Sequence, residues 1–424
     1  ALRDFGYNYV RCQSYVYGPE YYDAADEVGL LVQSEMGMLG AWGGHTNQHV
    51  YQWPKPTPDH YPHLKRQWDA VVLRDANHPS ALLYCMSNEY VRDTDFRRIA
   101  WQCYHETRAL KPAAFVIWTD GGYNPDLPAD FINHNSECFK PEELARLNKP
   151  LIEHEFRWWS SYPDIRLADR YLEGAVRPYA AEIARAAART QGQEPLLEVY
   201  AENSQRLQFI EAKAKMEACR RDNTHLAGIC HFNAMDANPS PQGIINEFYE
   251  KKLTSADTWL QTNGDTVLLA SLTFEDRVWV AGQDFACRFA ISDFSHPPLK
   301  TGVMHWRLMA GNRELGCGKL DWAHTPYTTC PIGSIQITLP AMDRPVQAKL
   351  EAWTDTPARS IRNEWAIWIL PAQTDGLPNA ILYANSTRTG WLSTLPATHK
   401  TAASGAGVWL TEQVDTTVVA HVRS

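Results

Sequence analysis

None of the nine cysteines pairs with another at CxxC spacing, which removes the zinc-ribbon and thioredoxin patterns. There is no basic excess either: 40 Lys+Arg against 49 Asp+Glu give a formal charge of −9. Binding to nucleic acid or to an anionic membrane by counterion release therefore has no global support. No uncharged apolar run approaches the roughly 20 residues of a membrane span, and no internal repeat or low-complexity segment occurs. Composition argues against disorder, with 44% hydrophobic and 21% charged residues. Cys12, Cys85, Cys230 and Cys287 sit inside apolar runs, where free cysteine behaves as a small hydrophobe. This usage leans towards a reducing compartment without fixing one.

What is present is length and aromatic surface. At about 150 residues per domain, 424 residues suggest two or three domains. The 16 Trp and 19 Tyr serve either core packing or the stacking of sugar rings. Up to about residue 250, short apolar runs alternate with amphipathic helical stretches. The runs are Tyr7–Cys12, Gly29–Gln33, Ala81–Met86, Ala114–Trp118, Asp130–Asn133, Pro150–His154 and Ala227–Phe232. Strands that are apolar throughout are buried on both faces, hence a parallel sheet. Strand–helix repetition of this kind predicts an α/β barrel or a doubly wound sheet. A (β/α)8 barrel needs eight strands and seven are found. The opening residues, ALRDFG, read as the end of a helix, so the expectation is a barrel whose first strand lies upstream.

Past Glu250, TVLLASLTF, RVWVAGQ, FACRFAIS, VMHWRLMA, SIQITLP, QAKLEAWTD and EWAIWIL recur with polar turns between them. That pattern predicts an antiparallel, immunoglobulin-like β-sandwich. The expected division is a barrel over 1–255, a sandwich over 256–373, and the start of a truncated domain or tail over 374–424.

In a barrel the active site lies at the carboxyl ends of the strands. ALLYCMSNEY delivers Asn88 and Glu89 as its apolar run stops, PLIEHEF delivers Glu155 likewise, and YVRCQSY places Arg11 inside an otherwise apolar strand. Two carboxylates entering one cavity from different strands is the requirement of glycoside hydrolysis. A single Glu at a strand end serves equally to cap the next helix or to pair with Arg, so the pair carries the argument.

VRCQSYVYGPEYYDAADEVGLLVQSE, NHPSALLYCMSNE and NKPLIEHEF resemble the strand-two-to-three, acid/base and nucleophile motifs of glycoside hydrolase family 2, and PQGIINEFYEKK resembles the family's exit from the barrel. The resemblance covers roughly residues 1–255. It implies a retaining β-glycosidase, β-galactosidase-like, with β-glucuronidase or β-mannosidase specificity as the alternative. It also implies a carbohydrate substrate, neither metal nor organic cofactor, and a fragment lacking the family's N-terminal domains. By the same resemblance Glu89 is the general acid/base and Glu155 the nucleophile. Asn88 holds the sugar 2-hydroxyl, and Arg11 lies under the nucleophile and keeps it ionised, since a nearby cation favours the carboxylate.

The sequence departs from the family at Gln13-Ser14-Tyr15, at FINHNSECF with His134 and Asn135, and at HFNAMD with His231 and Asn233. These changes alter the sugar subsite and motivate a rival reading, a non-catalytic carbohydrate-binding relative. Glu153 lies two residues before Glu155, so alternation points both to one side; it is the rival nucleophile and is expected to pair with Arg11 or be held neutral. Glu35 either lines the cavity or serves structure, and Asp120 reads as a turn residue before two glycines. Trp42, Trp53, Trp158 and Trp159 are candidates for sugar stacking or packing. His45, His49, His60 and His63 are read as one proline-interrupted loop, a poor metal frame. The oligomeric state is left open, a homo-oligomer included.

Overall fold

The computed structural model describes residues 1–36, 59–89, 94–156, 159–172, 176–223, 225–237, 240–356 and 360–372, with two short strands beyond. All seven runs expected in the first 250 residues are strands: β1 (Tyr9–Cys12), β2 (Leu31–Glu35), β3 (Ala81–Cys85), β4 (Phe115–Ile117), β5 (Ile132–Asn133), β6 (Leu151–Phe156) and β7 (Leu226–His231). They form parallel ladders in the order β1-β2-β3-β4 and β5-β6-β7. Backbone bonds from Asp130 N to Val116 O (2.9 Å) and from Gly121 N to Asn133 O (2.8 Å) join the two sets. No ladder links β7 to β1 among the described residues; the Tyr7 hydroxyl meets His231 Nδ1 at 2.6 Å there.

Helices α1 (Pro19–Val28), α2 (Tyr61–Asp75) and α3 (Thr94–Leu110) cover β1–β4. α1 shows how local sequence sets an element. Pro19 starts it with φ already suited to the helix, and Gly29 ends it at φ 68°, donating to the Ala25 and Asp26 carbonyls. Its buried Tyr22 and Ala25 join Trp68, Val72, Ala100 and Cys103 against Val32, Tyr84 and Val116. His60 and His63, expected in a loop, instead precede and open α2; His45 and His49 lie outside the described residues. After α4 (Pro141–Leu144) come α5 (Tyr179–Thr190) and α6 (Leu197–Asp222), separated by a break that contains Gly192 and Pro195.

Helix α7 (Ala256–Asn263) leads to eight further strands: β8 (Thr266–Ala270), β9 (Val278–Val280), β10 (Asp284–Asp293), β11 (Thr301–Ala310), β12 (Arg313–Ala323), β13 (Thr328–Thr338), β14 (Val346–Asp355) and β15 (Ser360–Leu370). They make a three-stranded sheet, β13-β10-β8, and a five-stranded one, β12-β11-β14-β15-β9. Phe285, Phe289, Ile291, Leu308, Leu350, Trp365 and Ile367 share one core between them. β12 is the strand the sequence pattern missed. It is an edge strand with mostly exposed residues, and its Gly318 is packed so closely that an added Cβ would lie 3.0 Å from the Trp306 indole nitrogen. Beyond residue 372 only strands Ala380–Leu382 and Val408–Leu410 are described, paired in parallel.

The two regions are locked by a buried polar cluster. Lys213 of α6 bonds Glu217 and Asn363, whose amide donates to Glu217 Oε1 at 2.8 Å; the Trp365 indole donates to Glu217 Oε2 at 2.8 Å. Burial presses Lys213 below its ordinary value against the pull of Glu217, so the cluster depends on its carboxylate. Glu217→Ala, which strands a buried ammonium, should cost about 3–5 kcal/mol in denaturant unfolding. Lys213→Met with Glu217→Leu should cost clearly less, and equal losses would refute this description of the interface.

Candidate active site

Arg11, projecting from β1, is the hub of the site. Its Nε donates to Glu35 Oε2 at 2.7 Å and to Asp120 Oδ2 at 2.8 Å, Nη1 donates to Glu155 Oε1 at 2.9 Å, and Nη2 donates to Asn88 Oδ1 at 2.8 Å and Glu35 Oε1 at 3.2 Å. Side chains from the carboxyl ends of β1, β2, β3, β4 and β6 thus converge on one guanidinium. Its side chain is only 3% exposed, so it is held from below.

Glu89 and Glu155 meet above it. Their carboxylate oxygens and the His154 ring lie within 4.8 Å of one another. His154 Nε2 is 3.4 Å from Glu89 Oε1 and 3.8 Å from Glu155 Oε1. Both glutamates take left-handed backbone, φ 49° and 41°, a conformation costing about 1–2 kcal/mol for a residue with a Cβ and concentrated at functional sites. At Glu155 the cause is visible in the register. Glu153 pairs with Ile229 and Phe156 with His231, so two residues of β6 face one of β7, a β-bulge that re-aims side chains.

That bulge corrects the expectation for Glu153. Alternation fails across it, and Glu153 turns to Ser136, accepting from its backbone N–H at 3.1 Å and from its hydroxyl, rather than pairing with Arg11. Asp120 is no plain turn residue: fully buried, it accepts from Arg11, Gln33 and Asn133. Glu35 is fully buried as well and accepts from the Ser14 backbone at 2.7 Å, so it supports the site instead of lining it. Burial and a hydrogen bond to Asp120 push Glu35 well above the usual carboxylate range. At Asp120 burial is outweighed by the charge of Arg11 and the bond from Glu35, and its carboxyl stays low.

Asn88 is nearly buried and tied to Arg11. His134 and Asn135 stand half-buried at the end of β5; burial, then the neighbouring His154, lowers the His134 ring. His231 ends β7 in an aromatic packing group with Tyr7, Trp159 and Trp259, and burial followed by Lys252 takes it down to about 3. Trp159 is buried against Phe156 and so serves packing. Trp42, Trp53 and Trp158 lie outside the described residues. Sequence reasoning missed Gln33, Asn133, Ser136 and His154; the first two could have been found as polar residues inside apolar runs. Among the described residues, two donor sets have metal-like spacing: Glu35–Cys85–Asp120, whose two carboxylates are taken by the Arg11 guanidinium, and Glu89–His154–Glu155.

Parallel strands presenting paired carboxylates at their carboxyl ends make a site fit for acid/base chemistry. Residues 1–181 match the family model described as "Glycosyl hydrolases family 2, TIM barrel domain", and residues 283–371 match a "Domain of unknown function (DUF8488)". Two curated proteins of Formosa agariphila, each named "Putative beta-glucuronidase", are similar. One is 30% identical over 162 residues, 37% of this chain and 14% of the relative; the other is 31% identical over 96 residues, 22% and 10%. A β-D-mannosidase structure from Dictyoglomus thermophilum aligns with TM-score 0.58 and 14% identity over 90% of this chain and 48% of its own. An Amycolatopsis orientalis exo-chitosanase aligns with TM-score 0.54 and 15% identity over 86% and 45%. The chain thus spans just under half the length of these solved structures and 14% or less of the curated relatives. The match to the glycosyl hydrolase family 2 barrel model is thus confined to the first 181 of its 424 residues.

The Glu35–Asp120 pair makes a pH prediction. A carboxyl raised on folding gives stability that is complete below its unfolded value, about 4.3, and lost as pH rises through the folded value. Glu35→Gln removes that dependence. The stability of the wild type relative to Glu35→Gln should therefore fall as pH rises above about 4.3; a difference constant between pH 5 and 8 contradicts the pairing.

Proposed function

We propose that this chain carries the active site of a retaining β-glycosidase, within a barrel domain over residues 1–255 followed by a sandwich over 256–373. The observation that carries the reading is the meeting of Glu89 and Glu155 oxygens within 4.8 Å, with Arg11 bound to Glu155 alone of the two. Such closeness suits nucleophile-and-acid chemistry, in which the carboxyl groups stand about 5–5.5 Å apart; inversion leaves room for a water between them.

In this mechanism the Glu155 carboxylate, held by the Arg11 Nη1 donor at 2.9 Å, attacks the anomeric carbon while Glu89 gives its proton to the leaving oxygen. The glycosyl ester consumes the charge of Glu155. Glu89, now a carboxylate, takes a proton from the water that breaks the ester. Asn88, fixed by Arg11 through its Oδ1, keeps its amide N–H groups for the sugar 2-hydroxyl. The names of the relatives, β-glucuronidase and β-D-mannosidase, weight the sugar towards glucuronic acid and mannose over the galactose suggested by motif alone. The non-catalytic alternative has against it that both carboxylates and Arg11 are in place.

A panel of aryl β-glucuronides, β-mannosides and β-galactosides, assayed with the chain and with any longer protein containing it, identifies the sugar. On the substrate that is cleaved, Glu155→Gln should lose on the order of 10⁴-fold or more in kcat, about 5.4 kcal/mol of barrier. Glu89→Gln should lose roughly 10²–10⁴-fold on poor leaving groups and far less on activated ones. An active Glu155→Gln enzyme defeats the assignment.

A further inference from the structure

We infer that His154 is a positioning residue for Glu89, donating its Nε2–H to that carboxylate and bracing it against Glu155. The inference rests on the glycosidase reading above and extends it to a side chain that neither role requires. The bulge in β6 sends His154 and Glu155 to the same site, although they are consecutive. The ring is 4% exposed, its Nε2 faces Glu89 Oε1 at 3.4 Å and Glu155 Oε1 at 3.8 Å, and its Nδ1 has no partner. Carboxylate oxygens only accept, so the ring proton belongs on Nε2.

Space for this arrangement is made by Gly121, at φ 68° just past β4. A Cβ there would lie 2.7 Å from His154 Nε2 and 2.7 Å from Glu89 Cγ. The other titratable groups around the ring are His134 from β5 and Asp120 from β4. In the second half of the reaction Glu89 is a carboxylate awaiting a proton from water. A donor on its inner oxygen holds the outer one towards that water, and in the first half the same contact holds the protonated outer oxygen towards the leaving oxygen of the glycoside. His154 keeps its own proton throughout, and the proton transferred is that of Glu89.

The test uses the chain with His154→Ser, His154→Gln, Glu89→Gln and the Ser/Gln double variant, on aryl glycosides of poor and activated leaving groups. His154→Ser should lose about tenfold in kcat/KM on the poor leaving group and little on the activated one, with His154→Gln, whose amide nitrogen replaces Nε2, regaining most of it. In the Glu89→Gln background His154→Ser should cost less than about twofold, because residues acting through one another are not additive. Equal losses on all leaving groups, or additive losses, overturn the inference while leaving the glycosidase reading intact. A readout independent of turnover is the ¹⁵N resonance of His154 Nε2, which should move in Glu89→Gln and stay in place in the exposed control Glu27→Gln. A resonance indifferent to Glu89 overturns the contact. A panel with no hydrolysis at all overturns the glycosidase reading, and the role with it, even where the resonance moves.

Discussion

One guanidinium organises this site. Arg11 is almost without solvent, and its donors are taken by Glu35, Asp120, Glu155 and Asn88, which arrive on four other strands. A buried charge is tolerated only when paired and hydrogen-bonded, and here the pairing fixes the relative positions of strand ends as well as the charge. Three carboxylates around one cation are too many for all to ionise cheaply. The Glu35–Asp120 pair relieves the excess by holding one carboxyl high and the other low, which frees Arg11 to serve Glu155.

Strain is the second constraint. Ser14, Glu89 and Glu155 all hold left-handed backbone without being glycine, and each sits where a strand gives way to the site. Ser14 is fixed by its N–H bond to Glu35, Glu89 by its N–H bond to the Asp120 carbonyl at 2.7 Å, and Glu155 by the bulge against β7. The surrounding hydrogen bonds over-determine these conformations, which is how such backbone persists.

Much of this was legible in the residues. Continuously apolar runs gave all seven parallel strands, because burial on both faces leaves no alternation to confuse with a solvated sheet. The strand-end rule brought forward Arg11, Asn88, Glu89 and Glu155, which the structure joins in one network. What escaped depends on single-residue register. Alternation across β6 misplaced Glu153, because a bulge is invisible to a period-two reading, and the same bulge hid His154. Asp120 looked like a turn residue because two glycines follow it; its role appears only when Arg11, 109 positions earlier, is folded against it. β12 escaped because an exposed edge strand with glycines lacks a buried face to betray it.

The account stands on Glu155 forming a covalent bond to the sugar. A fluorosugar of whichever configuration the aryl glycoside panel identifies, with a good leaving group, slows the second step and lets the ester accumulate. Digestion and mass spectrometry of the labelled chain should place the sugar on Glu155 in the peptide containing EHEF. A label on Glu153 or Glu89, or an active enzyme that turns the sugar over without ever being labelled, would contradict it.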